Sequence, residues 1–152
     1  MDERPILICY DGSEDSRRAI AAAGDLLAHR RAVVLEVTPP LTVEEEEAAL
    51  LTPAIPDTVE QRVRDVRVLA HRGVQLARAE GLEAEERVDV AAPTWQGVLD
   101  VADEVDAAVI VVGSRGLSGL REAFEGSLAH ELMQHAGRPL LIVPPARRTD
   151  EP

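Results

Sequence analysis

Residues 107–112 read Ala-Ala-Val-Ile-Val-Val, the most continuous of several short apolar runs in the chain. Others occupy residues 6–10, 32–37 and 140–143, and residues 84–90 add a weaker run in which Val88 and Val90 are the apolar alternates. Between them lie segments with helical spacing. Ala19, Ile20, Ala23 and Leu27 share one helical face, and Val59, Val63, Val66, Ala70, Val74 and Ala77 recur every three or four residues up to Gly81. Thr94 is placed to cap a helix carrying Val98, Val101, Ala102 and Val105, and a last helix is expected over residues 127–135. Short strands that are apolar on both faces, alternating with helices, require a parallel sheet covered on both sides. The crossovers between such strands are right-handed.

One α/β domain over residues 1–146 accounts for the 152-residue chain, with residues 147–152 as a frayed tail. Residues 41–57 hold four consecutive glutamates and two prolines, and read as a solvated loop.

Composition removes several functions. Aromatic residues make up only 2%, so the core must be built from Val, Leu, Ile and Ala. A net charge of -12 argues against nucleic acid and anionic membrane surfaces, which both select for Lys and Arg. All 16 basic residues are arginine. Without lysine there is no P-loop lysine, no Schiff base and no lysine general base. Cys9 is the single cysteine and sits in a strand, so it reads as a buried, unreactive thiol. The apolar runs stop well short of the ~20 residues that span a bilayer. No basic start precedes an apolar stretch, and the expected location is cytoplasmic.

The run at 107–112 leads into Val112-Gly-Ser-Arg-Gly-Leu-Ser-Gly-Leu-Arg-Glu-Ala-Phe-Glu-Gly-Ser127, with four glycines and three serines. In parallel sheets ligands bind beyond the carboxyl ends of strands, where strand order switches. A helix beginning near Ser127 would offer N–H groups and a partial positive charge to phosphate. Gly113 and Gly116 would let the loop follow an anion, Gly126 and Ser127 would present N–H groups and a hydroxyl, and Arg115 and Arg121 add positive charge. A glycine-rich connection that binds nothing fits the same spacing. There is no G-x-G-x-x-G, and Gly116-Leu117-Ser118-Gly119 has the wrong spacing for a nucleophile elbow.

The pattern Gly113-x2-Gly116-x9-Gly126-Ser127 resembles the nucleotide-binding signature of the universal stress protein family. Ile6-Leu7-Ile8-Cys9-Tyr10-Asp11-Gly12-Ser13 is similar to that family's first strand and D-G-S turn. Matches at Val34-Leu35-Glu36-Val37-Thr38-Pro39-Pro40 and His135-Ala136-Gly137-Arg138-Pro139-Leu140-Leu141-Ile142-Val143 extend the resemblance over nearly the whole chain. It implies an open five-stranded, Rossmann-like parallel sheet of order 3-2-1-4-5 with helices on both faces. It also implies an ATP site of the family's nucleotide-binding branch. Asp11, with Cys9 and Tyr10 beside it, would contact the nucleoside, and Val37 would pack on adenine. Gly113, Arg115, Gly116, Gly126 and Ser127 would hold the phosphates, flanked by Val112 and Leu128. A homodimer would pair through Leu140, Leu141, Ile142 and Val143.

Two features depart from the family pattern. Glu122 and Glu125 precede Gly126, where relatives are often basic or apolar; they are expected to face solvent, and otherwise would need Mg²⁺ to bridge them to phosphate. Ala91-Ala92-Pro93-Thr94-Trp95 stands where relatives often have Gly-Asp/Asn-Pro, and Trp95 is expected to pack rather than stack on adenine. No catalytic residue or metal ligand is assigned. His130 lies three residues past Ser127 without an oxyanion signature, and His135 suits a helix C-terminus. The resulting reading is a nucleotide-dependent regulatory protein of the stress response, with an unidentified protein partner. A slow ATPase using the same pocket, or an interaction module without nucleotide, are the alternatives.

Overall fold

The computed structural model describes residues 2–51, 57–114 and 127–147. Five strands, β1 (Ile6–Cys9), β2 (Arg31–Thr38), β3 (Glu83–Val90), β4 (Val109–Gly113) and β5 (Leu140–Val143), form one parallel sheet in the order β3-β2-β1-β4-β5. The helices are α1 (Glu14–Leu27), α2 (Val43–Leu51), α3 (Asp57–Ala79), α4 (Thr94–Glu104) and α5 (Leu128–His135).

Alternation along each central strand sorts the core into two layers. Ile6, Ile8 and Tyr10 of the first strand and its exit join Ala32 and Val34 against α1 and α3, through Ala19, Ile20, Ala23, Val74 and Ala77. Leu7 and Cys9 join Val33, Leu35, Ile110 and Val112 on the other face, against Val98, Val101 and Ala102 of α4 and Ala129 and Leu132 of α5. Ile6, Leu7, Ile8 and Ile110 are fully buried, each contributing about 1.5–3 kcal/mol. Aliphatic side chains thus fill the space that the scarcity of aromatics leaves to them.

The fold, strand order and two-sided covering agree with the expectation. Three local readings need correction. Residues 41–57 are not a plain loop, because α2 occupies Val43–Leu51. It starts from a capping box in which Thr42 Oγ1 accepts from the Glu45 N–H at 3.2 Å and the Glu45 carboxylate accepts from the Thr42 N–H at 2.8 Å. Thr94 does not cap α4: Pro93 holds the N-cap position and no side chain caps there. The stripe expected on α3 is buried only in its C-terminal half, where Ala70, Val74 and Ala77 meet the sheet, whereas Val63 is exposed.

α3 ends as Gly81 predicts. That residue takes φ +85°, its N–H reaches Arg78 O at 3.0 Å, and the Leu82 N–H reaches Ala77 O at 3.1 Å. The two edges of the sheet differ. β3 carries Glu83, Glu85, Glu86, Arg87 and Asp89, charges that discourage edge-to-edge pairing, whereas β5 is wholly apolar.

Candidate functional site

β1 and β4 are neighbours, and the next described helix after each, α1 and α5, lies on a different face. α1 packs in the layer with α3, and α5 in the layer with α4. The crevice beyond the carboxyl ends of β1 and β4 is therefore the topological switch point where parallel sheets hold ligands.

Asp11-Gly12-Ser13 forms one wall. Asp11 Oδ1 accepts from the Ser13 N–H at 2.9 Å, an Asx turn that fixes the carboxylate at the exit of β1. Ser13 then caps α1, its Oγ accepting from the Ser16 N–H at 3.1 Å, and the buried Ser16 hydroxyl donates back to Ser13 O at 2.9 Å. Glu14 and Asp15 in the first turn suit the positive end of the α1 dipole.

Gly113 forms the floor. It is the last residue of β4 and not part of the following loop, and a Cβ there would lie 2.9 Å from Asp15 O. The close approach that needs glycine at this position is thus the packing of α1 on β4. Ser114 continues the edge, its N–H donating to Val143 O at 3.0 Å. Opposite, Ser127 caps α5 by accepting from the His130 N–H at 3.2 Å. The Ser127–His130 relationship is therefore a helix cap. His130 Nε2 lies 3.1 Å from Gln134 Nε2.

Several predicted site residues turn their side chains into the core. The Tyr10 ring is buried in the α1–α3 layer, and the side chains of Cys9 and Val112 are buried in the α4–α5 layer. Val37 and Leu128 are half-buried and pack against that second layer. The Cys9 thiol is pushed up to about 12 by burial first and then by Asp11 and Glu36, which keeps it from acting as a nucleophile. Trp95 stacks on His135 with ring centroids 4.4 Å apart and 13° between planes, so it joins α4 to α5 as packing. Arg115, Gly116, Gly126, Arg121, Glu122 and Glu125 lie outside the described residues, as does the tail from 148.

Glu36 escaped the sequence reading. It stands within the apolar strand β2, half-buried, and burial followed by the charge of Asp11 pushes its carboxyl up to about 8. An acidic residue inside Val-Val-Leu-Glu-Val was the available signal.

Asp11 supplies an acceptor of the kind that holds ribose hydroxyls, and the start of α5 supplies N–H groups suited to an anion. These features define an α/β protein with a parallel sheet whose strand order switches between β1 and β4. The universal stress protein family model matches residues 3–144, and the chain belongs to that family. Universal stress protein YxiE of Bacillus subtilis is 30% identical over 151 residues, covering 91% of this chain and 97% of its own. A solved universal stress protein in complex with cAMP superposes with TM-score 0.67 at 26% identity, covering 92% of this chain and 96% of its own. The universal stress protein of Archaeoglobus fulgidus in complex with dAMP shares the fold at TM-score 0.63 and 23% identity, covering 94% and 99%. No helix among the described residues is long and apolar enough to cross a membrane.

Proposed function

We propose that this chain binds an adenine nucleotide, ATP in the first instance, in the crevice between the carboxyl ends of β1 and β4, and that occupancy of the crevice is its regulatory signal. The observation that carries the reading is the Asx-turn carboxylate of Asp11, fixed at the switch point beside the first turn of α1. The relatives solved with cAMP and with dAMP support the choice of an adenine nucleotide. On this reading Cys9, Tyr10 and Val112 contribute backbone, Asp11 holds the nucleoside, and Val37 offers an apolar contact to the base. Gly113, Arg115, Gly116, Gly126 and Ser127 follow the phosphates, with Leu128 at the start of α5. A homodimer pairing through β5 would cover the apolar edge. The test is mass spectrometry of nucleotide released by acid from the purified protein. Adenine nucleotide close to one per chain supports the reading; a protein that carries none and takes up none from millimolar ATP contradicts it.

A further inference from the structure

On the α1–α3 face, two buried polar atoms have no hydrogen-bond partner among the described residues: the Tyr10 hydroxyl and Glu36 Oε2. They are neighbours in the sheet. Cys9 sits opposite Leu35, and the Tyr10 N–H extends the ladder to Leu35 O at 3.0 Å, so the next step sets Tyr10 beside Glu36. Alternation puts both side chains on the face of Ile8 and Val34. Tyr10 is 2% exposed, with α3 lying on its ring: a Cβ at Gly73 would stand 2.6 Å from Tyr10 Cδ1 and 2.8 Å from Val34 Cγ1.

A buried carboxyl oxygen that faces no donor is poorly accommodated as an anion and is relieved by taking up a proton. Among the described residues, no cation pairs with Glu36. From the β1 side the facing charge is Asp11, which is also negative, and Cys9 is a neutral thiol on the opposite face. β3 places apolar Val88 in register with Glu36, and Glu86 further back is met by His71 of α3 at 3.6 Å. Arg62 of α3 is engaged with Pro39 O at 3.2 Å and with Glu45, which belongs to α2. The first turn of α1 adds Glu14 and Asp15.

We propose that Glu36 is the proton-binding residue of the nucleotide crevice. While it holds its proton it adds no charge beside Asp11; losing the proton places a second carboxylate charge next to Asp11 and weakens anionic nucleotides. The direction of its carboxyl shift, with burial first and Asp11 second, agrees with the geometry. The inference rests on the nucleotide reading for its ligand, and on the buried, unpartnered oxygen for its proton.

The probe is cAMP, whose phosphodiester keeps one fixed negative charge at neutral and alkaline pH, so only the protein titrates. Calorimetry on the wild type and Glu36→Gln, at pH of about 6.5 and about 9, should show wild-type affinity falling at least ~3-fold and the variant changing less than ~2-fold. Equal wild-type affinity at both pH values, or the same loss in the variant, overturns the inference and leaves the nucleotide reading standing. No cAMP binding by either protein overturns the ligand half of this inference, while the nucleotide reading stands or falls on its own ATP test. The proton half is then decided on the wild type by a carbon NMR titration of the Glu36 carboxyl. A midpoint above about 7 upholds it, and one below about 7 overturns it.

Discussion

Gly113 and Asp15 meet backbone to backbone: a Cβ on Gly113 would stand 2.9 Å from both the carbonyl carbon and the carbonyl oxygen of Asp15 and 3.0 Å from its Cβ. This contact seats the first turn of α1 on the end of β4. Backbone atoms at the start of a capped helix have little room to retreat. Gly113→Ala is therefore expected to destabilise the nucleotide-free protein by about 1–3 kcal/mol, the usual range for forcing atoms into a packed site. Urea unfolding without nucleotide measures it. A change below about 0.5 kcal/mol would show that this contact does not require glycine.

Glu36 should leave a signature in stability as well as in binding. Its folded-state carboxyl is raised to about 8 from an ordinary 4.5, so the native protein holds the proton more tightly than the unfolded chain does. The stabilising contribution is complete below about pH 4.5, declines as pH rises, and is gone once pH has passed the folded value near 8. Glu36→Gln lacks this titration. Its stability relative to wild type should therefore climb between pH 5 and 8, by roughly 1–2 kcal/mol after discounting for partial exposure. Denaturation midpoints of the two proteins that stay parallel over this range would refute it.

The alternation of strands and helices was legible in the sequence because apolar periodicity reports burial directly. So was the turn after β1, since Asp11 and Ser13 act through local hydrogen bonds to residues two and three positions away. α2 was missed because four glutamates and two nearby prolines outweighed the Thr42–Glu45 capping box in the reading. Thr94 looked like a cap because residue type was visible, but the helix begins one residue earlier than that reading requires. Long-range pairings were out of reach. Nothing in the sequence places Asp15 on Gly113 or shows that Glu36 will be buried near Asp11 with no donor for Oε2.

The contrast between the two sheet edges predicts assembly. Charged β3 is protected against pairing, whereas Leu140, Leu141, Ile142 and Val143 present an apolar edge that pairing with a symmetry mate would close. Light scattering at micromolar concentration should give twice the 16.4 kDa mass of the chain. A monomeric mass under those conditions would remove β5 as the pairing surface.

The central claim is that the crevice at Asp11 holds an adenine nucleotide, and calorimetric titration of ATP into the wild type and Asp11→Ala tests it most directly. Circular dichroism should first show that both proteins are folded. The account predicts saturable binding near one ATP per chain in the wild type, and at least ~10-fold weaker binding in the variant, a loss of about 1.4 kcal/mol. Equal affinity in the two proteins, or no saturable binding by the wild type, would contradict it.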